Sequence, residues 1–117
     1  MSLQNRVKFI PLTSFNGASL TANYQAINSN GLSEACFLIR IVNDCTTDIT
    51  ISYDGITDHD HLAGTAASIP RETLQIPFPQ NSASSGLVLI PKGTVVYVKG
   101  TAGIGVIYLA GYYQGVV

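Results

Sequence analysis

Side chains able to bind metal ions are concentrated in residues 54–61, which read DGITDHDH. In an extended strand, Asp58 and Asp60 would share one face, with His59 and His61 on the other. Two histidines at i and i+2 can chelate a transition metal, and carboxylates can offer oxygens to Ca²⁺. However, the spacing does not match an EF-hand loop, and no third nitrogen or sulfur ligand is apparent. We therefore expect no bound metal and no cofactor, and interpret the stretch as a polar loop and edge strand that holds weak metal candidates only.

Catalytic chemistry finds little support in the sequence. His59 or His61 could be combined with a cysteine or serine, but no Gly-x-Ser-x-Gly elbow occurs. The only glutamates are Glu34 and Glu72, so acid–base pairs of carboxyl groups are not evident at strand ends. The GIG sequence at residues 103–105 joins two predicted strands and opens no helix, so it lacks a phosphate cradle. We expect a protein that is not an enzyme.

The composition favours contact with other proteins. Hydrophobic residues make up 46% of the 117 residues and charged residues 11%, against a usual charged share of about 25%. A surface so poor in charge is typical of a subunit in an assembly. The basic residues are scattered and the net charge is −1, which argues against a nucleic-acid partner. No apolar run approaches the roughly 20 residues that cross a membrane, and the N-terminus lacks a signal-peptide core.

The two cysteines are expected to be free thiols. Cys36 opens an extended apolar run and Cys45 lies just beyond its end, on the order of 20 Å away along the strand. A disulfide requires Cα atoms within about 7 Å. We predict that Cys36 is buried and that Cys45 lies in a turn.

Alternating and apolar runs, separated by Gly, Pro, Asn and Ser, predict about eight strands and no helix. The candidate strands are residues 7–10, 24–27, 35–42, 48–53, 57–62, 72–76, 87–90, 94–99 and 106–113. Turns are predicted at residues 28–31, 54–55 and 91–93, and a polar loop at 81–86. This pattern predicts an all-β, antiparallel two-sheet sandwich, for which a jelly roll is one arrangement and an up-and-down barrel the alternative.

Two hairpins are expected within this sandwich. Strand 35–42 is apolar on both faces and therefore central, and a turn at Asn43-Asp44 should lead antiparallel into strand 48–53. In the latter, Ile49, Ile51 and Tyr53 should face the core, while Thr50 and Ser52 face water or a partner. Strands 94–99 and 106–113 should form the second hairpin across the glycine-rich residues 100–105.

The chain is predicted to be a single domain. Residues 35–117 should form the sandwich, and residues 1–34 an N-terminal strand followed by an arm or irregular segment. Four tyrosines lie in the predicted second hairpin, with Tyr97 and Tyr113 expected on one sheet face and Tyr108 and Tyr112 on the other. Exposed tyrosines often anchor protein interfaces. The interface candidates are Tyr97, Tyr112, Tyr113, Val116 and Val117.

Residues 39–60 and 90–109 carry a recognisable pattern. It includes ISYDG at residues 51–55, DHD at 58–60 and KGT with YVKGT at 92–101. The pattern resembles that of small virion proteins of tailed bacteriophages. The resemblance implies a β-sandwich without catalytic residues that decorates or cements a capsid, or anchors a fibre or tail component.

The expected function is therefore structural. The chain would bind the major capsid protein or other virion proteins, as a homo-oligomer or in many copies on a symmetric lattice, using loops 54–64, 79–86 and 100–105. It would be made in the host cytoplasm and reside in the virion. One alternative is a carbohydrate-binding, receptor-recognition module that uses Tyr97, Tyr112 or the 54–61 loop. A second alternative is a small enzyme on a sandwich scaffold.

Overall fold

The computed structural model describes residues 5–65, 71–76 and 89–116. Nine strands in these residues form two antiparallel sheets, which confirms the predicted all-β sandwich. The strands are β1 (Asn5–Phe9), β2 (Thr13–Asn16), β3 (Gln25–Ala26), β4 (Leu38–Cys45), β5 (Ile49–Ser52), β6 (Asp60–Leu62), β7 (Glu72–Ile76), β8 (Tyr97–Gly100) and β9 (Gly105–Val116). A 3₁₀ turn covers Gly17–Ser19. Within the same residues, no helix has the length and apolar character needed to cross a membrane.

The longest strand, β9, organises the first sheet, called sheet A. On one side β9 pairs with β1 and β2 in succession, and on the other side it pairs with β4, which in turn pairs with β7. Sheet B has the order β3-β8-β5-β6. The prediction that strand 35–42 is central holds for residues 38–42, because β4 lies between β9 and β7, whereas residues 35–37 lie outside β4.

The core lies between the two sheets. Along β4 half-buried and fully buried residues alternate, as expected for a strand with one face in the core. The fully enclosed aliphatic side chains on the strands of the two sheets are Ile39, Ile41, Ile107 and Leu109 from sheet A, and Ile49, Ile51 and Val98 from sheet B. The N-terminal segment belongs to the same core, since Leu20, Ile27 and Leu32 are buried and β1 to β3 pair with β9 and β8.

The first predicted hairpin is wrong. β4 does not turn at Asn43-Asp44 but continues through Cys45, which is buried at the strand end and does not lie in a turn. Residues 46–48 then carry the chain across to sheet B, where β5 pairs with β6 and β8 and not with β4. Both cysteines are free and buried.

The second predicted hairpin is also wrong, because β8 belongs to sheet B and β9 to sheet A. Residues 101–104 cross between the sheets next to the 46–48 link. The amide of Thr46 donates to the carbonyl of Ile104 at 2.9 Å, and the Thr47 hydroxyl donates to the carbonyl of Thr101 at 2.7 Å. Links 46–48 and 101–104 are therefore hydrogen-bonded to each other, although each was expected to close a hairpin.

The predictions for single strands, turns and side chains hold in part. The 72–76 strand matches β7, and the turn at 28–31 is closed by a hydrogen bond from Gly31 N to the Asn28 carbonyl at 2.8 Å. Ser52, expected to face outward, is fully buried. Of the predicted 87–90 strand, residues 87–88 lie outside the described residues, as does loop 79–86, whereas Ile90 forms an isolated bridge with Cys36.

Candidate contact site: the 52–61 loop

The loop between β5 and β6 folds around one carboxylate. Oδ1 of Asp54 accepts hydrogen bonds from the amides of Ile56 and Thr57, both at 2.7 Å. It also accepts one from the Ser52 hydroxyl at 2.8 Å. These bonds hold the pKa of the Asp54 carboxyl well below its usual range, and the two amides make the largest contributions. Residues 52–61, called the 52–61 loop below, therefore begin with a turn fixed by its own aspartate, in line with the predicted Asp54-Gly55 turn.

Gly55 allows this turn to lie against sheet B. Its φ of +81° is in the left-handed region that favours glycine. A Cβ atom added there would lie 3.3 Å from Cζ of Tyr97, so the backbone of Gly55 covers one side of that ring. The Tyr97 ring, expected to be an exposed contact residue, thus supports the loop.

The second half of the loop is fixed by Tyr53. Its ring stacks on the His59 imidazole with centroids 5.3 Å apart, and its amide donates to Nδ1 of His59 at 3.0 Å. Its hydroxyl donates to Oδ2 of Asp60 at 2.7 Å. Burial, and then this bond to Asp60, raise the pKa of the Tyr53 hydroxyl. The histidine and the aspartate that sequence reasoning considered as metal ligands are therefore bonded within the loop.

A third group of contacts ties the loop to the N-terminal segment. The Tyr24 hydroxyl donates to Oδ1 of Asp58, and Nζ of Lys99 lies 3.0 Å from the same oxygen. The Lys99 ammonium also sits 4.7 Å from the centroid of the Tyr24 ring. Burial, followed by the hydrogen bond to Asp58, raises the pKa of the Tyr24 hydroxyl to about 12. The bonds from Tyr24 and Lys99 lower the pKa of the Asp58 carboxyl. Sequence reasoning missed Tyr24, which is remote from Asp58 along the chain.

The weak metal candidates lie just before and within β6. Asp58 and His59 precede β6, so the strand alternation expected for residues 58–61 does not apply to them. His61 lies in β6 with its Nε2 3.6 Å from Oδ2 of Asp48. Among the described residues, no group of three or more His, Cys, Asp or Glu side chains is placed to hold a metal ion.

Ile56 stands at the tip of this framework. Its side chain is 84% exposed, the largest value among the exposed large hydrophobic residues that the structure describes. Because the surrounding carboxylates, hydroxyls and imidazole bond to one another, the loop offers an apolar side chain on a rigid base. An exposed isoleucine on a preorganised loop is suited to binding a pocket on another protein.

The remaining interface candidates are spread over both sheets. Tyr97 lies on the outer face of sheet B, because its neighbours Val96 and Val98 are buried. Tyr113 packs against the core from sheet A, so the expectation that Tyr97 and Tyr113 share a sheet face is wrong. Tyr112 lies on the outer face of sheet A.

The C-terminal candidates are only partly described. The backbone of Val116 pairs with Asn5 at the end of β9. The side chain of Val116 and the whole of Val117 lie outside the described residues.

Comparison with other proteins adds no identification. No family model matches the chain, and neither curated proteins nor solved structures yield a match.

Proposed function

We propose that this chain is a non-enzymatic structural component of a tailed-bacteriophage virion that binds a neighbouring virion protein through the 52–61 loop. The observation that carries the proposal is Ile56, 84% exposed at the tip of a loop whose polar groups bond internally. The stretch that resembles small virion proteins of tailed bacteriophages includes this same loop. The partner is the major capsid protein or another virion protein with an apolar pocket of matching size.

Preorganisation of the 52–61 loop favours binding. Binding normally costs the ordering of flexible loops and side chains at an interface. Here the turn at Asp54 and the stacking of Tyr53 on His59 order the loop before any partner arrives. Burying an isoleucine side chain contributes roughly 1.5–3 kcal/mol, which is modest for one copy. Many copies on a symmetric particle would multiply that modest contact through avidity.

The charge balance supports a protein partner. The chain carries a net charge of −1 with 11% charged residues, so it neither repels an adjacent subunit nor attracts a polyanion. Residence in the virion, after synthesis in the host cytoplasm, follows from the proposed role.

The first experiment is quantitative mass spectrometry of purified particles of the phage that encodes the chain. The proposal expects the chain in intact particles at a fixed copy number. On the order of hundreds of copies would indicate capsid decoration, and about a dozen or fewer a vertex, neck or tail position. Complete absence of the chain from particles would refute the proposed function.

The second experiment compares two exposed aliphatic residues. Ile56→Ser should lower incorporation into particles about tenfold or more, since losing 1.4 kcal/mol of binding weakens affinity tenfold. Leu12→Ser, at a leucine that is 62% exposed outside the loop, is the matched control and should incorporate normally. Both variants should melt at the wild-type temperature. Equal incorporation of the two variants would show that the loop is not the contact.

A further inference from the structure

Strand β1 forms one edge of sheet A. It pairs with β9 on one side, and no other strand among the described residues pairs with its opposite side. An edge strand presents a row of unpaired amide and carbonyl groups, which can accept a further strand. The side of β1 that faces away from β9 is therefore open to another chain.

The strand register shows which backbone groups of β1 are unpaired. The amide of Ile10, directly after β1, donates to the carbonyl of Gly111 at 3.1 Å, and Lys8 lies two residues earlier in the same register. Bonded and non-bonded pairs alternate along an antiparallel ladder, so Lys8 bonds to β9 as Ile10 does. The amides and carbonyls of Val7 and Phe9 point away from β9, toward the open edge.

The two faces of β1 differ in chemistry. Lys8 pairs with Tyr113, which packs against the core, so Lys8 lies on the inner face of sheet A. Arg6 shares this face because side chains alternate along a strand, and both cations are exposed. On the outer face, Val7 is 55% exposed and Phe9 is 67% exposed. A strand beside β1 thus meets two apolar side chains on one face and two cations on the other.

The two cations favour one kind of partner. No acidic side chain occurs in residues 1–33 or 105–117, which contain β1 and β9. If β1 paired antiparallel with β1 of a second copy around its middle residue, Val7, each Arg6 would lie opposite a Lys8. Like charges directly opposite each other are destabilising, whereas acidic side chains would form cross-strand ion pairs. Charge complementarity therefore favours an acidic strand from another protein over a second copy of this chain.

A cavity opens at the end of β1. Its volume is about 300 Å³, and it lies between the bend at Ile10 and Pro11 and the 28–31 turn, with Ile27 in its lining. The Ile10 side chain packs against the core and so lies on the inner face. A side chain of an added strand opposite Ile10 would point to the same face, and therefore into this cavity.

We propose that the edge of β1 binds an extended, acidic segment of another protein, which adds antiparallel to sheet A as a further strand. In strand addition, main-chain bonds supply affinity and side-chain pockets supply specificity. The first residue of the segment enters the cavity, and apolar residues lie opposite Phe9 and Val7. Acidic residues alternate with these, opposite Lys8 and Arg6. The segment therefore has the pattern apolar, apolar, acidic, apolar, acidic.

Fluorescence anisotropy on the purified full chain tests the charge preference. The probe is a labelled peptide of sequence SFVEVES, and the matched control is SFVKVKS. The acidic peptide should bind with a Kd below about 1 mM, and the lysine peptide should bind about tenfold or more weakly. The double variant R6E/K8E should reverse this preference, because the same edge then carries two anions. A reversed preference cannot come from misfolded chains.

A proline substitution separates strand addition from ion pairing. Val7→Pro removes an amide that points away from β9, and proline is tolerated on edge strands where its nitrogen faces solvent. The variant should melt near the wild-type temperature but bind the acidic peptide about tenfold or more weakly, since it loses a main-chain bond to the added strand. The matched control is Val7→Thr, which keeps the amide and should bind within about twofold of the wild type.

Amide hydrogen exchange locates the added strand. In the free chain the amides of Val7 and Phe9 should exchange faster than that of Lys8, because only the last is bonded to β9. Saturation with the acidic peptide should slow the exchange of both. Slow exchange at Val7 and Phe9 before peptide is added would show that a second copy or another part of the chain already covers the edge, and would overturn the inference.

Three other results overturn it as well. They are failure of the acidic peptide to bind at about 1 mM, equal affinity for the two peptides, and binding that Val7→Pro leaves unchanged. The last result would indicate ion pairing without an added strand. The inference goes beyond the proposed function and uses none of the 52–61 loop, so Ile56→Ser should bind the acidic peptide normally. The two proposals can therefore fail separately.

Discussion

The crossover between the two sheets should depend on one buried amide. The Asn43 side chain is fully buried, and its Nδ2 donates to the carbonyls of Thr47 and Ala63, both at 3.0 Å. Its Oδ1 accepts from the buried amide of Cys45 at 3.1 Å. This one side chain thus joins the end of β4 to the link entering β5 and to the segment after β6. We predict that Asn43→Ala strongly destabilises the protein.

The magnitude follows from the bonds that are lost. Leaving a buried polar group without a partner costs about 1–3 kcal/mol, and Asn43→Ala removes the partner of two carbonyls and one amide. Taking the lower value for each gives a loss of about 3 kcal/mol. At about 4 °C per kcal/mol for a domain of this size, the melting temperature should fall by about 12 °C.

Thermal and urea unfolding, followed by circular dichroism, would measure this loss. The matched control is Asn28→Ala, because Asn28 is also buried but makes fewer bonds, to the Thr94 carbonyl at 3.1 Å and from the Val96 amide at 2.8 Å. It should lose about 1 kcal/mol, because the Val96 amide loses its partner whereas the Thr94 carbonyl still accepts from the Leu32 amide at 3.0 Å. A loss for Asn43→Ala that is no larger than that for Asn28→Ala would refute the role given to the crossover amide.

A pH series on Asn43→Asp sharpens the same prediction. The new carboxyl group would face the two carbonyl oxygens, so its folded-state pKa should be raised above the unfolded value of about 3.9. A raised folded-state pKa gives stability that is present below the unfolded pKa and is lost as the pH rises through the folded pKa. The variant should therefore lie closest to the wild type near pH 3.5 and fall behind it towards pH 7. A constant difference over that range would contradict the buried contact with carbonyl oxygens.

Two further predictions concern the 52–61 loop and its supports. Gly55→Ala should lower the unfolding free energy by about 2 kcal/mol and Gly93→Ala by about 1 kcal/mol. Both glycines have positive φ, +81° at Gly55 and +88° at Gly93, but only a Cβ at Gly55 would crowd a neighbour, the Tyr97 ring. Equal losses in urea unfolding would show that the ring contact does not matter. Asp58→Asn should lower the pKa of Tyr24 from about 12 towards 10 in an NMR titration of the ring carbons, and an unchanged pKa would rule out the bond. In the wild type, stabilisation by that bond should hold below about pH 10 and fade towards pH 12, since the folded-state pKa is the raised one.

Local pattern predicted most strands, whereas strand pairing depended on contacts that local pattern does not contain. The 72–76 run alternates and is bounded by prolines, so β7 was predicted with its observed limits. The 46–48 link was mistaken for part of a hairpin because a short polar link suits a turn and a crossover equally. Asn43 decides between them through bonds to residues 47 and 63, which become visible only once both sheets are assembled. β2 was missed because residues 13–16 mix polar and apolar side chains.

Local sequence likewise predicts one part of the candidate site and misses another. The turn at Asp54 and Gly55 follows from residue types alone, since an aspartate accepts from the amides beyond it and glycine tolerates positive φ. The contact between Tyr24 and Asp58 spans 34 positions of sequence and had no local signal. Burial of Ser52 was likewise unpredicted, because its hydroxyl is satisfied by the turn that follows and not by solvent.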